Sequence, residues 1–80
     1  MNVELQIKDD AIKIFVNNTI HICINQKQFL GVQSWVTNNR WYIEFYCKGN
    51  KKILCEYDSI KKWNKILSLL SKHNLFNKNF

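Results

Sequence analysis

Residues 29–48 read FLGVQSWVTNNRWYIEFYCK, and they decide the fold. Two runs, Phe29–Thr37 and Arg40–Lys48, flank Asn38-Asn39, a pair that tolerates the left-handed backbone of a tight hairpin turn. A two-residue turn there pairs Val36 with Trp41, Ser34 with Ile43, Val32 with Phe45 and Leu30 with Cys47. Successive strand side chains point to opposite faces, so Trp35–Tyr42, Gln33–Glu44 and Gly31–Tyr46 pair on the other side. A strand with one wet face alternates apolar with polar. Here the second face carries Phe29, Trp35, Tyr42 and Tyr46, broken only by Gly31, Gln33, Glu44 and flanking charges. One short chain cannot easily cover both sides of such a sheet. The second face therefore reads as a contact surface.

The hairpin rhythm extends in both directions. Upstream, Val3, Leu5 and Ile7 alternate with polar residues, Asp9-Asp10 interrupts, and Ile12, Ile14 and Val16 alternate again. A two-residue turn at Asp9-Asp10 sets Ile7 against Ile12, Leu5 against Ile14 and Val3 against Val16, all on one side. A three-residue loop at Asn17-Asn18-Thr19 then pairs Val16 with Ile20 and brings Ile22 and Ile24 onto the same face. Downstream, Gly49-Asn50 suits a two-residue turn into Lys52–Tyr57, which sets Phe45 against Leu54, Tyr42 against Tyr57 and Tyr46 against Ile53. A one-residue slip would swap the faces of this last strand.

After Tyr57 the period changes. Asp58 or Ser59 can cap a helix, and Ile60, Trp63, Ile66, Leu67 and Leu70 come next at helical spacing. Lys61, Lys65 and Lys72 fall on the opposite side, and Lys72 and His73 suit the negative end of the helix dipole. The expectation is an α+β fold in one domain, residues 1–80. It has an antiparallel meander of five to six strands over about 2–57, a C-terminal amphipathic helix over about 59–74 with Trp63 at the centre of its buried stripe, Leu75 and Phe76 beneath the helix end, and a frayed tail at 77–80. In ending a meander with a helix, the layout resembles pleckstrin-homology-like folds. That resemblance implies a sheet curled strongly around the helix, and a taste for acidic phospholipid headgroups.

Composition bounds the function classes. Eighty residues make one small core, helped by large aromatics. The net charge of +6 is uneven: residues 1–39 are neutral, while 40–80 hold nine Lys and Arg against three Asp and Glu. A localised positive field can steer nucleic acid, an acidic protein or an anionic membrane surface. Abundant Asn, Lys and Ile fit an AT-rich genome. Three cysteines are an odd number and sit inside apolar strand patterns, which reads as reduced thiols in a cytoplasmic protein, host cytoplasm if the gene is viral. No leader opens the chain and no apolar run reaches membrane-spanning length, so a membrane is not the expected partner.

Catalytic chemistry finds little footing. His21, Cys23, Cys47 and Cys55 could nominally supply metal ligands, but no close cysteine pair has zinc-site spacing, and the preferred register points Cys47 and Cys55 to opposite faces. His21 and Cys23 share a strand face, yet no third residue is placed to orient a base. Glu44, amid aromatics, reads as a partner of Gln33 or a lysine. Phosphate-binding glycine loops and paired catalytic carboxylates are absent. No catalytic residue, metal or cofactor is expected.

Three readings of the aromatic face stay open: a second small core, a protein interface (homodimeric or with another macromolecule), or a stacking platform for single-stranded nucleic acid. The expected binding residues are Phe29, Trp35, Tyr42, Glu44 and Tyr46 on the face, with Arg40, Lys48, Lys51 and Lys52 beside it. The expected function is a small non-enzymatic protein-binding module, an accessory or inhibitor protein of bacterial or phage type such as an anti-CRISPR or another anti-defence protein. The alternative is a single-stranded DNA- or RNA-binding protein.

Overall fold

The computed structural model describes residues 1–76, so the expected fraying at 77–80 lies outside the described residues. Six antiparallel strands and one helix run in chain order: β1 (Val3–Lys8), β2 (Ala11–Val16), β3 (Thr19–Asn25), β4 (Phe29–Thr37), β5 (Arg40–Cys47), β6 (Lys51–Tyr57) and α1 (Ile60–Lys72). The fold is α+β, as expected. The strands do not form one sheet, however. They divide into two three-stranded meanders, β1-β2-β3 and β4-β5-β6, at the polar break Gln26-Lys27-Gln28.

Turn chemistry sets most of the registers. Both residues of Asp9-Asp10, Asn17-Asn18 and Asn38-Asn39 have positive φ, which Asp and Asn adopt at lower cost than other side-chain-bearing residues. β1 and β2 pair as expected, with Val3, Leu5 and Ile7 opposite Val16, Ile14 and Ile12. The β2–β3 connection differs. It is a two-residue turn that pairs Val16 with Thr19 and Phe15 with Ile20, and beyond it a bulge sets Ile14 against Ile22. Without that extra residue Ile22 and Ile24 would face solvent; the bulge returns both to the core and leaves Ile20 outside, 53% exposed.

The second sheet brings two corrections. Val36–Trp41, Ser34–Ile43 and Val32–Phe45 pair as read, but a bulge skips Leu30 and places Phe29 opposite Cys47. Phe29 is consequently 2% exposed and belongs to the core, not to the outer face. The β5–β6 register is the slipped one: Cys47 pairs with Lys51 across a three-residue loop, so Phe45 meets Ile53, Glu44 meets Leu54 and Tyr42 meets Glu56. This turns Cys55 and Tyr57 inward and Leu54 outward. Cys47 and Cys55 are thus both buried, contrary to the opposite-face reading. The slip is favoured because it turns Ile53, Cys55 and Tyr57 toward the core together and leaves the charged Lys52 and Glu56 outside with Leu54.

One core joins both sheets and the helix. Ile12, Ile14, Ile22 and Ile24 come from the first sheet, Phe29, Val32, Ile43, Phe45 and Tyr57 from the second, and Ile66 and Leu70 from α1. Ser59 caps α1, its Oγ accepting from the Lys62 N–H at 3.4 Å. Ile66 and Leu70, each 0% exposed, are the centre of the helix contact. Trp63 is only half-buried at its margin, so its expected central place is corrected. The helix ends in a Schellman turn: Asn74 has φ 56°, its N–H donates to Ser71 O, and the Leu75 N–H donates to Leu70 O. That reversal buries Leu75, and the Phe76 carbonyl accepts from the Val32 N–H at 2.9 Å on the edge of β4.

Candidate binding surface

The outer face of β4-β5-β6 is built on cross-strand pairs. Trp35 and Tyr42 face each other and stack, with ring centroids 5.4 Å apart and planes 14° from parallel. Both residues are half-buried. The stack is anchored from behind, where the Trp63 indole N–H donates to the Tyr42 carbonyl at 3.0 Å. One strand further, Glu56 sits opposite Tyr42, its Oε2 lying 3.4 Å from Arg40 Nε and 3.5 Å from the Tyr42 hydroxyl.

The centre of the face is a polar knot. The Tyr46 hydroxyl lies 2.5 Å from Glu44 Oε1 and 2.7 Å from Gln33 Oε1. That bond to a carboxylate, with burial and the Glu44 charge adding to it, raises the Tyr46 pKa. Lys52 Nζ stands 5.7 Å from the Tyr46 ring centroid, within cation–π range. Leu54, opposite Glu44 and 55% exposed, supplies the apolar ground between these groups. Val36, 52% exposed and paired with Trp41, lies on the opposite side of the same hairpin.

Of the residues named from sequence, Trp35, Arg40, Tyr42, Glu44, Tyr46 and Lys52 come together on this face. Phe29 does not, being in the core. Lys48 is exposed at the β5–β6 loop, and Lys51 lines a cleft toward β3. Sequence reasoning missed Leu54 and Glu56 as surface residues. The preferred register put them on the wrong sides, and only the slipped alternative held the signal.

Elsewhere, the His21 imidazole Nε2 is 2.6 Å from the Tyr57 hydroxyl, joining β3 to β6. Burial, with the Lys62 charge added, lowers the His21 pKa. Burial is also the main cause that raises the pKa of Tyr57, Cys47 and Cys55. Among the described residues no three His, Cys, Asp or Glu side chains converge as a metal site would require. No described helix is long and apolar enough to cross a membrane. No protein-family model, curated protein or solved structure matches the chain.

Proposed function

We propose that this protein is a small non-enzymatic binding module whose outer β4-β5-β6 face docks on another protein. The observation that carries this reading is the half-buried Trp35–Tyr42 stack with exposed Leu54 beside it. Interfaces are enriched in Trp and Tyr, which offer large area at low entropic cost and keep a polar tip for the wet rim. The charges on the face are mixed: Arg40 and Lys52 stand against Glu44 and Glu56. Two carboxylates in the middle of a phosphate track would repel it. The stacked rings also occupy each other's faces, which leaves less surface for bases. Both points weigh against single-stranded nucleic acid, the runner-up. The compact size and AT-rich composition support a bacterial or phage accessory or inhibitor protein, with anti-defence proteins as the narrower proposal.

The test is a pull-down from bacterial lysate, with and without nuclease, using the parent, Tyr42→Ala and Leu54→Asp. A nuclease-resistant partner should lose about 2 kcal/mol or more of affinity with Tyr42→Ala, while the melting temperature of that variant stays near the parent's. Binding to the protein partner should depend only weakly on salt. Nuclease-sensitive recovery with a steep salt dependence would move the assignment to nucleic acid. Unchanged binding by both variants would sink the outer face as the docking surface.

A further inference from the structure

The two sheets share a core, yet one flank between them stays unzipped. β3 and β6 are the facing edge strands there, and they run antiparallel: His21 touches Tyr57 at one end, while Cys23–Asn25 and Lys51–Ile53 line a common cleft at the other. No backbone ladder joins them, and nearly all Cα pairs between the two strands are more than 8 Å apart. Paired strands sit about 4.7–4.9 Å apart, so a strand between two edges needs about twice that spacing. The seam is therefore too wide for β3 and β6 to pair with each other, which leaves both facing edges without a strand partner.

The walls of the seam have a definite chemistry. Its cleft measures ≈480 Å³, within the size range of ligand pockets. The floor is apolar, with Ile24 4% and Cys47 9% exposed and Ile53 half-buried. Exposed Lys51 and Lys52 stand on its rim with Asn25 and Gln28, and no carboxylate among the described residues lines it. Lys51 has no ion-pair partner among the described residues. Edge lysines alone can serve to ward off unwanted strand pairing. Here they border an apolar floor and two unpaired edges, which is the layout of a strand-addition site.

We propose that this seam receives an extended, carboxylate-bearing segment of the protein partner, which adds to the edge of β6 as a fourth strand. Main-chain hydrogen bonds to the open edge would supply affinity, alternate apolar side chains would enter toward Ile24 and Ile53, and carboxylates would meet Lys51 and Lys52. The His21–Tyr57 contact closes the far end and limits the insertion to the Lys51–Cys55 half of β6. This rests on the reading of the chain as a protein-binding module but not on its outer face.

The test uses ¹⁵N-labelled full-length protein and two capped pentapeptides, one alternating valine with glutamate and one alternating valine with lysine. The glutamate peptide should shift the amides of Ile22–Asn25 and Lys51–Cys55 saturably and slow amide exchange along β6. Lys51→Glu alone, which leaves the outer-face Lys52 in place, should weaken it about fivefold, whereas Tyr42→Ala should leave it unchanged. Equal binding of the lysine peptide, shifts confined to Trp35 and Tyr42, or no shift at millimolar peptide would each overturn the proposal. The last outcome would leave the lysines as guards of an edge. The two readings fail separately: a silent glutamate peptide removes the seam alone, and partner binding that survives Tyr42→Ala and Leu54→Asp removes the outer face alone.

Discussion

At the scale of single residues, the instructive pair is His21 and Tyr57. The neutral imidazole can accept the Tyr57 hydroxyl at Nε2, 2.6 Å away, and the imidazolium cannot. Burial, and then the charge of Lys62, lowers the His21 pKa below its ordinary 6.5. The folded state then binds fewer protons than the unfolded chain near that pH. The stabilising contribution is full above the unfolded pKa and drains away as pH falls from there through the lowered folded value. Between about pH 7 and about pH 5 the melting temperature should therefore decline, and His21→Gln should flatten that decline. Equal slopes in the parent and the variant would show that His21 does not couple to folding. The contact is also a lesson in legibility. His21 and Cys23 stand out in the sequence as near neighbours on one strand, but the partner that gives His21 a role lies 36 positions away.

At the scale of elements, the turns carry much of the specification. Asn38 and Asn39 have φ of 51° and 60°, so the β4–β5 hairpin holds two side-chain-bearing residues in left-handed conformations. Asn38-Asn39 is readable as a turn because few residue pairs tolerate that geometry. Glycine tolerates it better still at the second position. Asn39→Gly should raise stability by about 0.5 kcal/mol, and Asn39→Val should lower it by about 1 kcal/mol or more, measured by urea unfolding. A destabilised glycine variant would show that the Asn39 side chain contributes more than its backbone preference. The β5–β6 loop shows where such reading stops. Gly49-Asn50 marks a turn, but its length of two or three residues changes every facing in β6. The sequence of β6 offers apolar residues for either choice, Ile53, Cys55 and Tyr57 on one face and Leu54 on the other.

At the scale of the whole molecule, closure depends on the two residues just past the helix turn. Leu75, 3% exposed, enters the shared core, and Phe76 O takes the Val32 N–H on the outer edge of the second sheet. Leu75→Ala should thus cost about 2–5 kcal/mol, although it lies beyond the last turn of α1. A change below about 0.5 kcal/mol in the urea midpoint would mean that the post-helix segment is dispensable. Local pattern by itself determined the α+β class, an antiparallel meander of five to six strands, the helical period after Tyr57, a cap at Asp58 or Ser59 and the Trp35–Tyr42 pairing. Each depends on neighbours or on a turn of fixed length, and such information is written at short range. Only the tertiary structure decided that the strands split into two sheets, that Phe29 turns inward while Leu54 turns outward, and that a seam remains between β3 and β6. Those outcomes compare the burial of one large side chain with that of another across the core, and bulges at Leu30 and beside His21 supply the single-residue adjustments. A bulge costs little locally and is repaid by contacts distant in the chain, so no window of sequence announces it.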